Sequence, residues 1–218
     1  MTPGDGARRR PKQARARATV DAILEGAKIA IASYGFLRAT THKIASVAGI
    51  SVGTLYQYFP DKQAVFGNLL DHLSDALLTG LKDAAAEPSL ESIEEIATAV
   101  LRTYVGALRD NREAVVQLLH QRPLLEGPEK LRRRHALQHA FIERALDARA
   151  RLEVDHDFAA YLLLKAVWAV ALNVVEERPE ALDDGRLERE LVRLVTAYLR
   201  SAWQKEQPSE QSQLREVC

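Results

Sequence analysis

Thr40 to Lys62, reading TTHKIASVAGISVGTLYQYFPDK, constrains the fold more than any other stretch, because two short helical patterns flank a single glycine. Thr41 is placed as an N-cap, its hydroxyl accepting an orphan backbone N–H. Ile44, Ala45 and Ala48 then give the helix it opens one small apolar face. Gly49 falls where the chain must turn, and a residue without Cβ reaches positive φ without strain. Ser51 caps the next helix, Leu55 and Phe59 point inward at i, i+4 spacing, and Pro60, with no N–H to donate, stops it. This is the pattern of a helix-turn-helix, which lays its second helix in the major groove of DNA. Ser51, Val52, Gly53, Thr54, Tyr56, Gln57 and Tyr58 cover the exposed side and front end of that second helix.

The charge distribution agrees with such a use. The 218 residues are neutral in total, yet residues 1 to 68 hold ten Lys/Arg against four Asp/Glu, and the remainder twenty against twenty-six. Segregation of this kind steers the N-terminal part to a polyanion and keeps the rest away. Residues 1–18 carry Arg8, Arg9, Arg10, Lys12, Arg15 and Arg17 without apolar periodicity, which predicts a basic disordered arm able to lie on phosphates or enter the minor groove. The single cysteine, Cys218, excludes an internal disulfide framework and fits a reducing compartment, so the cytoplasm is expected. No apolar stretch follows the basic start, which argues against a signal peptide. The most apolar run, Tyr161 to Val175, is about fifteen residues and includes Lys165, too short to span a membrane.

Elsewhere the periodicity is helical. Val20, Ile23, Leu24, Ala27, Ile31 and Tyr34 mark an amphipathic helix that Gly35 ends. Asp61 caps a long helix whose stripe runs from Val65 to Leu81, leaving the helix-turn-helix region and entering the acidic part, a candidate lever between the two. Ser92 and Glu95 form a capping box for a helix ending at Asp110-Asn111. A short helix over Glu113 to Gln121 is cut off by Pro123, and Gly127-Pro128 opens another that continues to about Arg151. Leu131, His135, Gln138, Ile142 and Ala145 share one of its faces, a mixture that suits a cavity wall.

The helix over Phe158 to Glu177 is apolar nearly all round and must be covered all round. Its own fold covers one side and a second copy the other. With the helix over Asp184 to Trp203 it predicts a four-helix dimer interface through Leu163, Val167, Val170, Leu191, Leu194 and Tyr198. Tyr104, Gln117, His120, Gln138, Phe141 and Trp168 read either as core or as the few polar and aromatic groups of a ligand site within apolar walls. Residues 204–218 are polar and read as a flexible tail.

Catalytic constellations are absent from the pattern. His135 and His139 stand four apart without an H-E-x-x-H, Asp155-His156-Asp157 reads as a helix-capping loop, and no phosphate-cradling glycine motif occurs. Neither an enzyme, a cofactor nor a metal site is expected.

Gly35-Phe36 before Thr40-Thr41, then Ile44-Ala45-x-x-Ala48-Gly49, then Gly53-Thr54-Leu55-Tyr56-x-Tyr58-Phe59-Pro60-x-Lys62, resembles the DNA-binding pattern of the TetR family of ligand-responsive transcriptional repressors. Val52 stands where that family often has Lys or Arg, and Gln57-Tyr58 where it often has histidine. The resemblance implies DNA contacts at Thr41, Ser51, Val52, Gly53, Tyr56, Gln57, Tyr58 and Lys62. Thr41 and Lys62 would hold phosphates, Tyr56 a phosphate or base methyl, and Gly53 would let backbone and phosphate approach closely. Gln57 suits an adenine edge, which its amide meets with two hydrogen bonds.

The expectation is therefore an all-α homodimer: a basic arm (1–18), a helix-turn-helix domain (19–66), a ligand-binding and dimerisation domain (67–203) and a tail (204–218). Its partners would be double-stranded DNA bearing a palindromic operator and a small-molecule effector, with no membrane. An activator, or a regulator without an effector, is the alternative on the same fold; a helical enzyme is the alternative of another class.

Overall fold

A computed structural model describes residues 6–90, 92–147 and 154–201, with only the backbone of residues 6–12, and in them the chain is helical throughout, with no strand. The first helix, α1 (Gly6–Arg38), is longer than the sequence pattern. The basic segment expected as a disordered arm is helical from Gly6 onward, a correction with a simple cause: Ala and Arg dominate residues 14–18, and both are strong helix formers. Gly35 breaks α1 with a φ of 69°, and one further turn ends at Arg38.

The helix-turn-helix follows as α2 (Thr41–Val47) and α3 (Val52–Tyr58). The N-cap of α2 is Thr40 rather than Thr41, since Thr40 Oγ1 accepts from Lys43 N at 3.3 Å. Gly49 turns the chain at a φ of 68°. Ile44 and Leu55, both fully buried, pin the pair onto α1 together with Ala45 and Phe59. A glycine in α1 permits this approach: a Cβ on Gly26 would stand 2.8 Å from Ala48 Cβ and 2.9 Å from Ala48 N, closer than atoms tolerate.

Asp61 caps α4 (Lys62–Ala85), accepting from Ala64 N at 2.8 Å. The core around the helix-turn-helix continues into α4 through Val65, Phe66, Leu69 and Leu70, beyond which no α4 residue is buried. It also takes Ala114 and Leu118 from α6 (Arg112–His120), which follows α5 (Ile93–Asp110) and its capping box of Ser92 and Glu95. A four-residue turn, α7 (Arg122–Leu125), leads into α8 (Pro128–Asp147). The continuation of α8 toward Arg151 lies outside the described residues.

A second core is built from α5, α9 (His156–Glu177), the short α10 (Glu180–Asp183) and α11 (Arg186–Ser201), with Leu146 of α8. Helix α9 reaches 22 residues and holds an 18-residue stretch of mean hydropathy 1.9, which meets the length and composition of a membrane span. The shorter run counted in the sequence omitted its ends. Its buried residues, Ala159, Ala160, Leu163, Ala171 and Val175, instead pack into this second core. Trp203 and residues 204–218 lie outside the described residues.

The two cores are joined by an ionic cluster. Glu126, only 7% exposed, is the one buried charged residue among those described. It accepts from Arg122 Nε at 2.6 Å and pairs with Arg134 of α8, which also binds Asp71 Oδ1 of α4 at 2.8 Å; Lys130 pairs with Asp71 as well. Removing charges from water is costly unless each is paired and hydrogen-bonded, a condition this cluster meets.

Candidate nucleic-acid interface

Helix α3 leaves Ser51, Gly53, Tyr56, Gln57 and Tyr58 exposed, with Val52 and Thr54 partly covered at its front. Its apolar side is spent on Leu55, so what remains outward is a ridge of hydroxyl, amide and aromatic groups at the width of one helix. Ser51 Oγ accepts from Thr54 N at 3.0 Å and lies 2.8 Å from the Thr54 hydroxyl, which fixes the first turn. Tyr56 is half exposed, and its Oη lies 3.1 Å from Thr41 Oγ1 at the start of α2. The two hydroxyls at which the family resemblance implies DNA contacts are therefore side by side, tying the first helix of the pair to the second.

Beside them the C-terminal carbonyls of α1 collect two cations. Lys62 Nζ donates to Phe36 O at 3.0 Å and to Leu37 O at 3.3 Å, and stands 4.7 Å from the Phe36 ring centroid. Lys43 Nζ donates to Arg38 O at 3.1 Å and sits 4.0 Å over the Tyr34 ring. Cations at a helix C-terminus satisfy orphan carbonyls and oppose the negative end of the dipole. The same placement gathers two ammonium groups on the last turn of α1. Lys43 was not legible as a site residue, and its only signal is a cation in the first turn of α2. Two of Lys62's three hydrogens are spent on α1, which the sequence could not show because the partners are 25 and 26 residues away.

The six residues expected to line a ligand pocket lie on α5, α6, α8 and α9, in differing surroundings. Tyr104 packs against the second core, and burial pushes its phenol well above the usual tyrosine range. His120 is exposed and pairs with Glu176 at 2.9 Å. Trp168 is likewise exposed on α9. Gln138 and Phe141 are half-buried on α8. Gln117 lines a crevice of about 370 Å³ between α1, α6 and the end of α9. Its Oε1 accepts the Phe36 N–H at 3.2 Å, joining α6 to the last turn of α1. Periodicity places a residue on a face of its own helix and leaves open which neighbour that face meets.

Two residues of the expected dimer face, Leu163 and Leu191, are placed in the interior instead. Leu191 is 1% exposed and Leu163 is also buried, both committed to the protomer's own second core. Val167 and Tyr198 pack partly against that core. Val170 and Leu194 stay 42% and 50% exposed and border a shallow groove of about 420 Å³ with Leu187 and Leu191 at its floor. Phe158, Tyr161, Leu162 and Trp168 extend the exposed apolar surface along α9. Among the described residues no three His, Cys, Asp or Glu are grouped to hold a metal ion. Burial, with Lys165 and Arg122 nearby, holds the His135 imidazole below its ordinary pKa, and His139 turns to Asp157 at 3.4 Å.

A polar ridge on a short exposed helix, braced from behind by a first helix and a glycine turn and flanked by anchored cations, defines a helix-turn-helix transcriptional regulator that binds DNA. Comparison with known proteins gives the family. The pattern of bacterial regulatory proteins of the tetR family matches residues 23–69, and that of the tetracyclin repressor-like C-terminal domain matches residues 92–199. The chain belongs to the TetR family. Over 140 residues it is 27% identical to the nucleoid occlusion factor SlmA of Shewanella denitrificans, a match covering 64% of this chain and 70% of that protein. The SlmA of Actinobacillus pleuropneumoniae is 30% identical over 102 residues, a match covering 47% of this chain and 49% of that protein. The fold is shared with SmeT, repressor of the Stenotrophomonas maltophilia multidrug efflux pump SmeDEF, at a TM-score of 0.64 and 21% identity, covering 86% of this chain and 91% of SmeT. It is shared too with the fatty acid degradation regulator FadR of Bacillus halodurans, at a TM-score of 0.61 and 19% identity, covering 79% and 97%.

Proposed function

We propose that the protein is a homodimeric repressor, acting in the cytoplasm, that a small molecule releases from a palindromic operator. The observation that carries the DNA half of this reading is the pairing of Thr41 and Tyr56 across the two helices, with the Lys43 and Lys62 ammonium groups held on the last turn of α1 and Gln57 exposed one residue further along α3. Thr41, Tyr56 and the remaining hydrogen of Lys62 take phosphates. Gln57 reads an adenine edge, and Ser51, Val52, Gly53 and Tyr58 complete the surface against the groove. The exposed apolar surface around Val170, Leu194, Leu162 and Trp168 supports the dimer, since a contiguous patch of this kind is uncommon on a surface left to water.

Regulation would run through α4, whose buried start lies in the helix-turn-helix core and whose remainder packs on α5. An effector changes DNA affinity only if it prefers one orientation of that helix. The reading helices of a dimer must sit about 34–36 Å apart to enter successive major grooves, so a displacement of a few ångströms misaligns them. Coupling of about 1–3 kcal/mol weakens DNA binding roughly 5- to 150-fold.

A DNA-binding regulator without an effector is the second reading on the same fold. A gel shift with fragments from beside the gene, repeated across salt concentrations, tests the DNA half; no salt-dependent shift would refute it. Small molecules extracted from the purified protein and added back separate the two readings. By linkage, an effector that releases DNA must itself bind more weakly to DNA-saturated protein, by the same factor. An extract that leaves operator affinity unchanged would favour the second reading.

A further inference from the structure

The burial pattern of α4 changes abruptly at Leu70. Before it, Val65, Phe66, Leu69 and Leu70 itself are clamped in the apolar core of the helix-turn-helix domain; after it no residue of the helix is buried. At that same point the ionic cluster takes hold. Arg134 of α8 donates from Nη1 to Leu70 O at 3.2 Å and to the Ser74 hydroxyl, and from Nη2 to Asp71 Oδ1 at 2.8 Å. The other end of the cluster is fixed, because Nη2 also reaches Glu126, whose second oxygen is held by Arg122.

We infer that Arg134 is a positioning residue for operator binding: it sets the angle at which α4 leaves the helix-turn-helix domain, and thereby the separation of the two reading helices in the dimer. The inference rests on the dimeric operator reading above and names the group that acts in it.

Two features make Leu70–Ser74 a place where a helix can bend. Ser74 Oγ donates back to Leu70 O at 2.7 Å, so this carbonyl serves a side-chain hydroxyl and a guanidinium in addition to its place in the helix ladder. Competition for an i−4 carbonyl loosens the ladder and bends helices. An apolar contact at such a point would tolerate sliding, since dispersion has no preferred direction. A planar guanidinium fork held by two carboxylates does not. Asp71 is shared with Lys130 and is partly exposed, so the α4 side of the cluster is open to water while the Glu126 side is sealed. The clamp therefore releases α4 first and leaves the α7–α8 corner intact.

The test uses the full chain with Asp71→Asn and Ser74→Ala, which cut the α4 side and leave Glu126 paired, and with Arg134→Met as the stronger variant. Each is titrated against three DNA duplexes whose half-sites are spaced as in the operator, or one base pair closer or further apart. Wild type should prefer the native spacing by at least tenfold. Asp71→Asn with Ser74→Ala, and Arg134→Met if its melting curve shows a folded protein, should cut that preference threefold or more. Mere destabilisation lowers the active fraction equally on all three duplexes and leaves the ratio untouched, so an unchanged ratio in folded variants overturns the inference. A wild type that binds none of the duplexes, or all three alike, refutes the operator reading and this inference with it.

Discussion

Lys62→Met separates two roles that one ammonium group is asked to fill. Methionine keeps an apolar stem against Phe36 and removes the charge. Of the two hydrogen bonds lost, the one to Phe36 O is part-buried at 3.0 Å and the one to Leu37 O is exposed at 3.3 Å. A sheltered charge-assisted bond contributes about 1.5 kcal/mol and an exposed one little. Loss of a cation at a helix C-terminus adds roughly 0.5 kcal/mol. The expected destabilisation is thus about 2 kcal/mol, which lowers the melting temperature of a chain this long by roughly 4–8 °C. If the third hydrogen holds a phosphate, the two copies in a dimer also release two counterions, and the slope of log affinity against log salt falls by about 1.8. Thermal melting of the free protein reads the first effect, and fluorescence anisotropy with a labelled operator across a salt series, below the melting range, reads the second. A lower melting temperature with an unchanged slope would refute the phosphate contact and leave Lys62 as a brace of α1. An unchanged melting temperature would refute the brace.

Other outcomes follow from the same geometry. Tyr56→Phe and Thr41→Val should each weaken operator binding without unfolding, and the double variant should lose about 0.5–1.5 kcal/mol less than the sum, because the hydroxyls share one hydrogen bond; strict additivity in a double-mutant cycle would separate them. Gln57→Ala should relax base preference at one position of each half-site by about 1–3 kcal/mol, and uniform weakening across operator variants would count against direct readout. Leu194→Arg should yield folded monomers in sedimentation, whereas Leu191→Arg, 1% exposed, should unfold the chain at a cost of about 3–5 kcal/mol for an unpaired buried charge; a folded Leu191→Arg monomer would return Leu191 to the interface. Deleting residues 1–17 removes six cations and should make the salt dependence of DNA binding shallower. Equal slopes for the two forms would show that those cations touch no phosphate.

What the sequence disclosed is local. Ser51, Asp61 and the Ser92–Glu95 box cap helices within three residues of themselves, so their roles are written in the spacing. The glycine turn and the outward residues of α3 were legible for the same reason. Thr40 and Thr41 carry the same hydroxyl, and only the backbone register decides which one caps. Contacts made across the chain left no such mark. Lys62 looks like a free surface cation until α1 arrives beside it, and nothing in the spacing shows that Gln117 takes the Phe36 N–H from 81 residues away. On α9 and α11, apolar residues serve both the protomer's own core and its outer face, and no periodicity tells Leu191 from Leu194 when both are leucine on a broad stripe. The turns α7 and α10 are too short to hold a period at all. Gly26 had a faint signal, a glycine inside an otherwise helical pattern.

The burial of Ala114 and Leu118 against α1 and α4 bears on how such regulators can be cut and recombined. A reading head excised at residue 66 would leave behind Leu69 and Leu70 of α4 and the α6 residues that close its core, and would bare Ile31 or its neighbours to water. The seam for a chimera therefore does not fall at one point in the chain. A head transplanted onto a foreign body would have to bring α6 with it, or find on its new host a helix offering the same pair of small and branched apolar groups at the same place.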